Sequence, residues 1–118
     1  MQYALLIYSD EAMEVSASQE EKDAVMAEYY AYTQAVNEAG VYKGGEALHP
    51  TSSATTVRVR NGKPLTTHGP FAETKEQLGG FYLVECKNLD EAIEWAAKLP
   101  GSRFGCVEVR PVIDFSQG

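Results

Sequence analysis

Cations, cysteines and long apolar runs are all scarce in this 118-residue chain, and each shortage removes a class of function. Ten Lys and Arg stand against 17 Asp and Glu, for a formal net charge of −7, and no basic cluster occurs anywhere. A nucleic-acid reader needs clustered cations to displace counterions from phosphates, so nucleic acid is not an expected partner. The opening Met1–Tyr8 is apolar but short, lacks a basic flank and runs directly into Asp10 and Glu11. It reads as a buried strand, not as a signal peptide. No later stretch is long and apolar enough to cross a bilayer, so no membrane partner and a cytoplasmic location are expected. Cys86 and Cys106 have no CxxC spacing, and the expectation is two free thiols buried on strands in a reducing compartment. There is no P-loop, nucleophile elbow, dinucleotide fingerprint, HxH or HExxH, and no cofactor or metal is expected. A chain of this length has room for one core, so residues 1–118 should form a single domain.

What is present is a regular alternation of strand and helix patterns. Tyr3–Tyr8 predicts a strand in mid-sheet or covered on both faces. Asp10–Ala17 is a polar lead to Ser18, which with Glu21 gives a capping-box signature. Val25, Tyr29, Tyr32 and Val36 recur at helical spacing up to Gly40, predicting a helix over about 19–39. On it, Tyr29 and Tyr32 face the core and Tyr30 lies near the rim. Val41–Leu48 can form a strand, with Gly44-Gly45 marking a bulge or a close backbone approach. Thr55–Arg60 alternates, Asn61-Gly62 is type I′ turn chemistry, and Lys63–Thr67 returns. A strand over 80–86, a helix capped by Asn88 and closed by Pro100-Gly101, and a strand over 106–112 complete the order; 114–118 reads as a loose tail. In that helix Ala92, Ile93, Ala96, Ala97 and Leu99 make the buried stripe, and Trp95, off that stripe, should be half-buried or at an interface. Setting the hairpin aside leaves a split βαββαβ, the ferredoxin-like α+β arrangement. Two helices cover one face of such a sheet. A second copy packing on the other face, giving a barrel-like homodimer, is the expected assembly.

The densest chemistry lies in His68–Tyr82, which packs a histidine, two glutamates, a lysine and three glycines between two strands. Polar groups crowded into a glycine-bordered loop line sites more often than cores. His68 can carry a proton near neutrality, or be a loop histidine bonded to backbone. Glu73 and Glu76 would share a face if the loop made a helical turn. Glu73 is favoured for a pocket because Phe71 and Ala72 should anchor its neighbourhood in the core, leaving Glu76 to solvent. Lys75 could hold an anion or pair with a flanking glutamate. Gly79-Gly80 could offer amides to an oxyanion, or form a strand-entry bulge. Glu46 and His49, at the end of the second strand, could approach His68 and Glu73 as substrate contacts or as a mixed oxygen/nitrogen metal set, though no spacing demands a metal.

The segment Gly69-Pro-Phe-Ala-Glu-Thr-Lys-Glu76, followed by Gly79-Gly-Phe-Tyr82, resembles the signature of DGPF-type proteins in the YCII-related superfamily. The likeness continues through Leu5–Tyr8, Gly44–Leu48, Thr56–Val59, Leu89–Ala92 with Trp95-Ala96, and Val107–Pro111. It implies a dimeric α+β barrel and, because such proteins often occur beside alternative sigma factors, an accessory regulatory role. Two departures stand out. His68 replaces the aspartate that gives the motif its name. Some relatives use a His–Asp pair with the histidine on the first helix, and the first helix here has none, so that dyad is not carried over. The resulting expectation is a homodimer binding a small anionic or phenolic ligand, with His68 as acid/base, Glu73 as its orienting partner and Lys75, Gly79, Gly80, Glu46 and His49 as substrate contacts. The alternative is a non-catalytic sensing protein.

Overall fold

The computed structural model describes residues 1–117. Its centre is a four-stranded antiparallel sheet of β1 (Gln2–Ser9), β2 (Tyr42–Ala47), β5 (Gln77–Glu85) and β6 (Cys106–Pro111), in the order β2-β5-β1-β6. Helices α2 (Gln19–Glu38) and α3 (Leu89–Ala97) cross over between non-neighbouring strands. This is the ferredoxin-like split βαββαβ. The remaining strands, β3 (Thr55–Arg60) and β4 (Lys63–His68), form a separate two-stranded hairpin between β2 and β5.

The sheet shows why β1 reads as apolar throughout. It is a central strand, and burial alternates along it: Tyr3, Leu5, Ile7 and Ser9 are buried beneath the helices, whereas Ala4, Leu6 and Tyr8 lie half-buried on the opposite face. Register carries the division across the sheet, because paired residues share a face. Tyr3 pairs with Val84 and Leu5 with Tyr82 on the covered side; Ala4 pairs with Leu83 and Leu6 with Phe81 on the bare side. The core under the helices joins these residues to Tyr32, Val36, Val41, Cys86, Ala92, Ala96 and Leu99.

Local signals act as their chemistry dictates. The Ser18 hydroxyl accepts the Glu21 amide at 3.1 Å and Asn88 accepts the Glu91 amide at 3.0 Å, each satisfying an orphan donor of a first turn. At the other end of α2, Gly40 N–H donates to Asn37 O and Val41 N–H to Val36 O, a Schellman closure that buries Val36 against Val41. Asn61 and Gly62 take φ of 53° and 75°, the type I′ turn. Tyr32 is buried, Tyr29 partly so, and Tyr30 exposed, as helical spacing requires. Trp95 is half-buried, meeting Tyr32 edge to face with ring centroids 6.1 Å apart.

Several expectations are corrected. Asp10–Ala17 is not simply a lead: Asp10 caps a short helix, α1 (Glu11–Ser16), by accepting the Ala12 amide. Pro100 ends α3 but opens another short helix, α4 (Gly101–Phe104), because proline at a first helical turn costs no hydrogen bond. β5 begins at Gln77, three residues before the apolar run, since Gln77 and Leu78 still pair with Ser9 and Tyr8. Ile93 and Ala97 are exposed, leaving Ala92, Ala96 and Leu99 as the buried stripe. Cys86 is buried, but Cys106, on the bare face of an edge strand, is exposed. Phe115–Gln117 form a 3-10 turn where a loose tail is expected, and Gly118 lies outside the described residues. Among the described residues no helix is long and apolar enough to cross a membrane.

Candidate functional site

A cleft of about 480 Å³ opens between the N-terminal half of α2 and the sheet, within the size range of small-molecule sites. Its origin is a shortage of side chains. On the helix-facing side, β2 and β5 present Gly45, Ala47 and Gly80, since Gly45 pairs with Tyr82 and Ala47 with Gly80. A Cβ on Gly45 would stand 2.7 Å from Phe81 O, and one on Gly80 would stand 2.7 Å from Glu46 O. The two strands approach too closely for any side chain there, so the floor is bare backbone. Above it, α2 buries only Tyr32 and Val36, both in its C-terminal half, and its first turns stand clear of the sheet.

Aromatic hydroxyls furnish one end. The Thr33 hydroxyl donates to Tyr29 O at 2.9 Å, which uses its only proton, so the contact with the Tyr82 phenol at 2.6 Å has Tyr82 as donor. Tyr42 and Tyr32 pack edge to face on Tyr82, with centroids 6.1 and 5.1 Å away. Burial pushes the Tyr29 phenol above its ordinary range, the Gly101 amide pulling partly the other way; burial raises Tyr32 more strongly. Both phenols therefore stay protonated at neutral pH; Tyr32 donates to Trp95 O at 2.9 Å, and Tyr29 is the one of the two that lines the cleft.

Carboxylates furnish the other end. Glu11 accepts the Thr51 amide at 2.8 Å and the Thr51 hydroxyl at 2.7 Å, tying the connection after β2 to α1. The Glu11 amide donates to Gln77 Oε1 at 3.0 Å, and Ser9 Oγ donates to Glu14. No Lys, Arg or His lines the cleft.

Of the residues singled out in the sequence, Glu46, Gly79 and Gly80 line this cleft. Glu46 contributes backbone, because its pairing with Phe81 turns its side chain to the bare face of the sheet. Gly79 is the extra residue where the β1–β5 register shifts, the bulge reading, and Gly80 is the close approach. His68, Glu73, Lys75 and His49 are exposed and stand outside it. His68 ends β4 opposite Thr55. The 69–76 loop makes no helical turn, so Glu73 and Glu76 share no helical face. Their expected exposures are reversed: Glu73 is exposed, whereas Glu76 is half-buried and accepts a 3.8 Å contact from the Cys106 thiol. Phe71 and Ala72 do not anchor the loop, being exposed, because the hairpin that precedes them lies on no part of the core. Among the described residues Lys75 makes no ion pair, and no group of three or more His, Cys, Asp or Glu converges on a possible metal position.

The family model described as YCII-related domain matches residues 1–116. The chain belongs to the YCII-related family. An uncharacterised protein of Rhizobium meliloti (strain 1021), R00369, is 42% identical over 120 residues, spanning 100% of this chain and 97% of the relative. The YCII-related domain thus accounts for nearly the whole chain, and its cleft comes from residues that sequence reading assigns to core or to strand geometry. Tyr29, Thr33 and Tyr82 carried a signal only in combination: an i, i+4 pair on α2 facing a strand whose covered side sets Gly80 beside Tyr82.

Proposed function

We propose that this chain is a cytoplasmic homodimer of the DGPF type that binds a small phenolic or otherwise aromatic molecule in the helix–sheet cleft. The glycine floor carries this reading: Gly45 and Gly80 leave a hollow of ligand size beneath a layer of tyrosines. Aromatic edges suit a flat apolar ligand, and the Thr33–Tyr82 hydroxyls suit its polar substituent. Dimerisation is supported by the bare side of the sheet, where Ala4, Leu6, Phe81 and Leu83 form a half-buried apolar patch that two helices cannot reach. A radius of gyration of 16.3 Å, against about 13–14 Å for a compact chain of this length, also suits a protomer completed by another copy.

In the catalytic form of this reading the chemistry is cofactor-independent proton transfer or elimination. His68 is the acid/base, Glu73 orients it or carries the second proton, and Lys75 meets an anionic group, with Gly79, Gly80, Glu46 and His49 at the substrate. The exposed placement of His68, Glu73 and Lys75 favours the other form, a ligand-binding accessory protein of sigma-factor regulation, unless a second copy brings them to the cleft.

Native mass spectrometry of the purified dimer, followed by titration with catechol and other simple phenols, tests the reading. Saturable binding weakened about tenfold by Tyr30→Ala at the rim supports the cleft; no saturable binding by any phenol overturns it. His68→Ala separates the two forms. Unchanged affinity with lost turnover marks the enzyme, and unchanged affinity with no turnover in either protein marks the sensor. Leu6→Lys on the bare sheet face should convert the dimer to monomer in sedimentation velocity, and an unaltered dimer would refute that interface.

A further inference from the structure

The β3–β4 hairpin has no more than marginal contact with any other element of its own protomer, and its strands are exposed along nearly their whole length. An isolated two-stranded ribbon is marginal in water. This one nevertheless leaves Val57, Val59 and Leu65 more than half exposed, with Phe71 of the following loop more exposed still. Its charge is equally one-sided, and folding gathers cations that read as unclustered along the sequence. Thr55–His68 contains Arg58, Arg60 and Lys63 and no carboxylate, so the rest of the chain sets seven Lys and Arg against all 17 Asp and Glu. The register places all three cations on one face: Arg60 pairs with Lys63, and Arg58 with Leu65.

The complementary surface lies on α1 and α2. Residues 10–28 hold Asp10, Glu11, Glu14, Glu20, Glu21, Asp23 and Glu28, with Lys22 the one cation in the segment and Arg103 of α4 paired to Glu28 at 2.6 Å. Exposed Met13, Val15 and Met26 interrupt these acids, as Leu65 interrupts the cations. The same flank forms one wall of the cleft through Glu11, Glu14, Val25 and Met26, a cleft without a single cation of its own.

We propose that the hairpin is an arm that docks through its Arg58–Arg60–Lys63 face on the acidic α1–α2 flank of a second copy of this chain. The inference rests on the homodimer reading and adds what the sheet face alone does not supply. Docked there, the arm of one copy sets Arg58, Arg60 and Lys63 beside the acids that wall the other's cleft. The cations that an anionic substituent would need then come from the partner. Opposite charge of this density steers the two copies into one register and makes their association sensitive to salt.

Sedimentation velocity over a dilution series, at about 50 and about 500 mM salt, tests the arm. The expected result is a wild-type dimer whose dissociation constant rises about tenfold at the higher salt, and an Arg58→Glu/Arg60→Glu variant weakened at least about tenfold at the lower. Mixing that variant with Glu20→Lys/Glu21→Lys should restore a mixed dimer tighter than either variant alone. Circular dichroism checks that the hairpin substitutions leave the fold intact; if they do not, Arg58→Gln/Arg60→Gln read against salt gives the same comparison. A charge-reversed dimer as tight as wild type at low salt overturns the arm and leaves the sheet-face dimer standing. A wild-type protein that is monomeric at micromolar concentration overturns both.

Discussion

The Tyr82 phenol donates to Thr33 Oγ1 across 2.6 Å, fastening α2 to β5 where the helix begins to part from the sheet. The Thr33 hydroxyl in turn donates to the backbone carbonyl of Tyr29, so two bonds in series tie the Tyr82 ring to the main chain of α2.

Removing either end of that bond should loosen the same joint. Thr33→Val and Tyr82→Phe are each expected to cost about 1 kcal/mol in urea unfolding. Because both remove one shared interaction, the double variant should cost less than the sum, with a coupling of about 0.5–1 kcal/mol. Strict additivity would show that the two hydroxyls do not act together.

Gly80→Ala should be far more damaging than Gly79→Ala, although the residues are neighbours. The new methyl at 80 meets Glu46 O at 2.7 Å and must push β2 away from β5, whereas at 79 the nearest atom is 4.0 Å off. Expected losses are about 1–3 kcal/mol at Gly80 and under about 0.5 kcal/mol at Gly79, read from denaturant midpoints. The Gly80 variant should also lose affinity for whatever occupies the cleft.

Stability should fall in alkali. Burial, reinforced by the carboxylates of Glu91 and Glu85, pushes the Cys86 thiol from 9.0 up to about 11. A raised folded value means the unfolded chain gives up its proton first. The contribution is therefore complete below about pH 9 and drains away as the pH climbs to about 11, at up to ~1.4 kcal/mol per pH unit. Tyr29 and Tyr32, raised by burial, extend the decline beyond pH 10. Urea melts of wild type and Cys86→Ala at about pH 7.5, 9 and 10.5 check this. The variant should start lower, for its lost packing, but decline less steeply between the second and third points.

The fold was legible because period, caps and turns agreed. Ser18 with Glu21, Asn88 with Glu91, and Asn61-Gly62 each fix an element end by a local bond that needs no tertiary context. The cleft was far less legible. A glycine facing a helix reads the same as one in a bulge until register is known, and Gly79 and Gly80 turned out to be one of each. The composition of the 68–76 loop suggested an inward-facing pocket, but a segment turns inward only if its flanks rest on something. β4 leans almost wholly on β3, which no count of polar residues could reveal.

The place of β1 in mid-sheet has a consequence for how the chain is made. Its partners are β5 and β6, so its backbone groups find their mates only after some seventy to a hundred further residues have left the ribosome. Until then the apolar Leu5-Leu6-Ile7 has neither ladder nor cover, and long-range pairing of this kind is slow to form. The nascent chain thus carries this sticky strand unsheltered until β5 and β6 have emerged, and aggregation is the hazard of that interval.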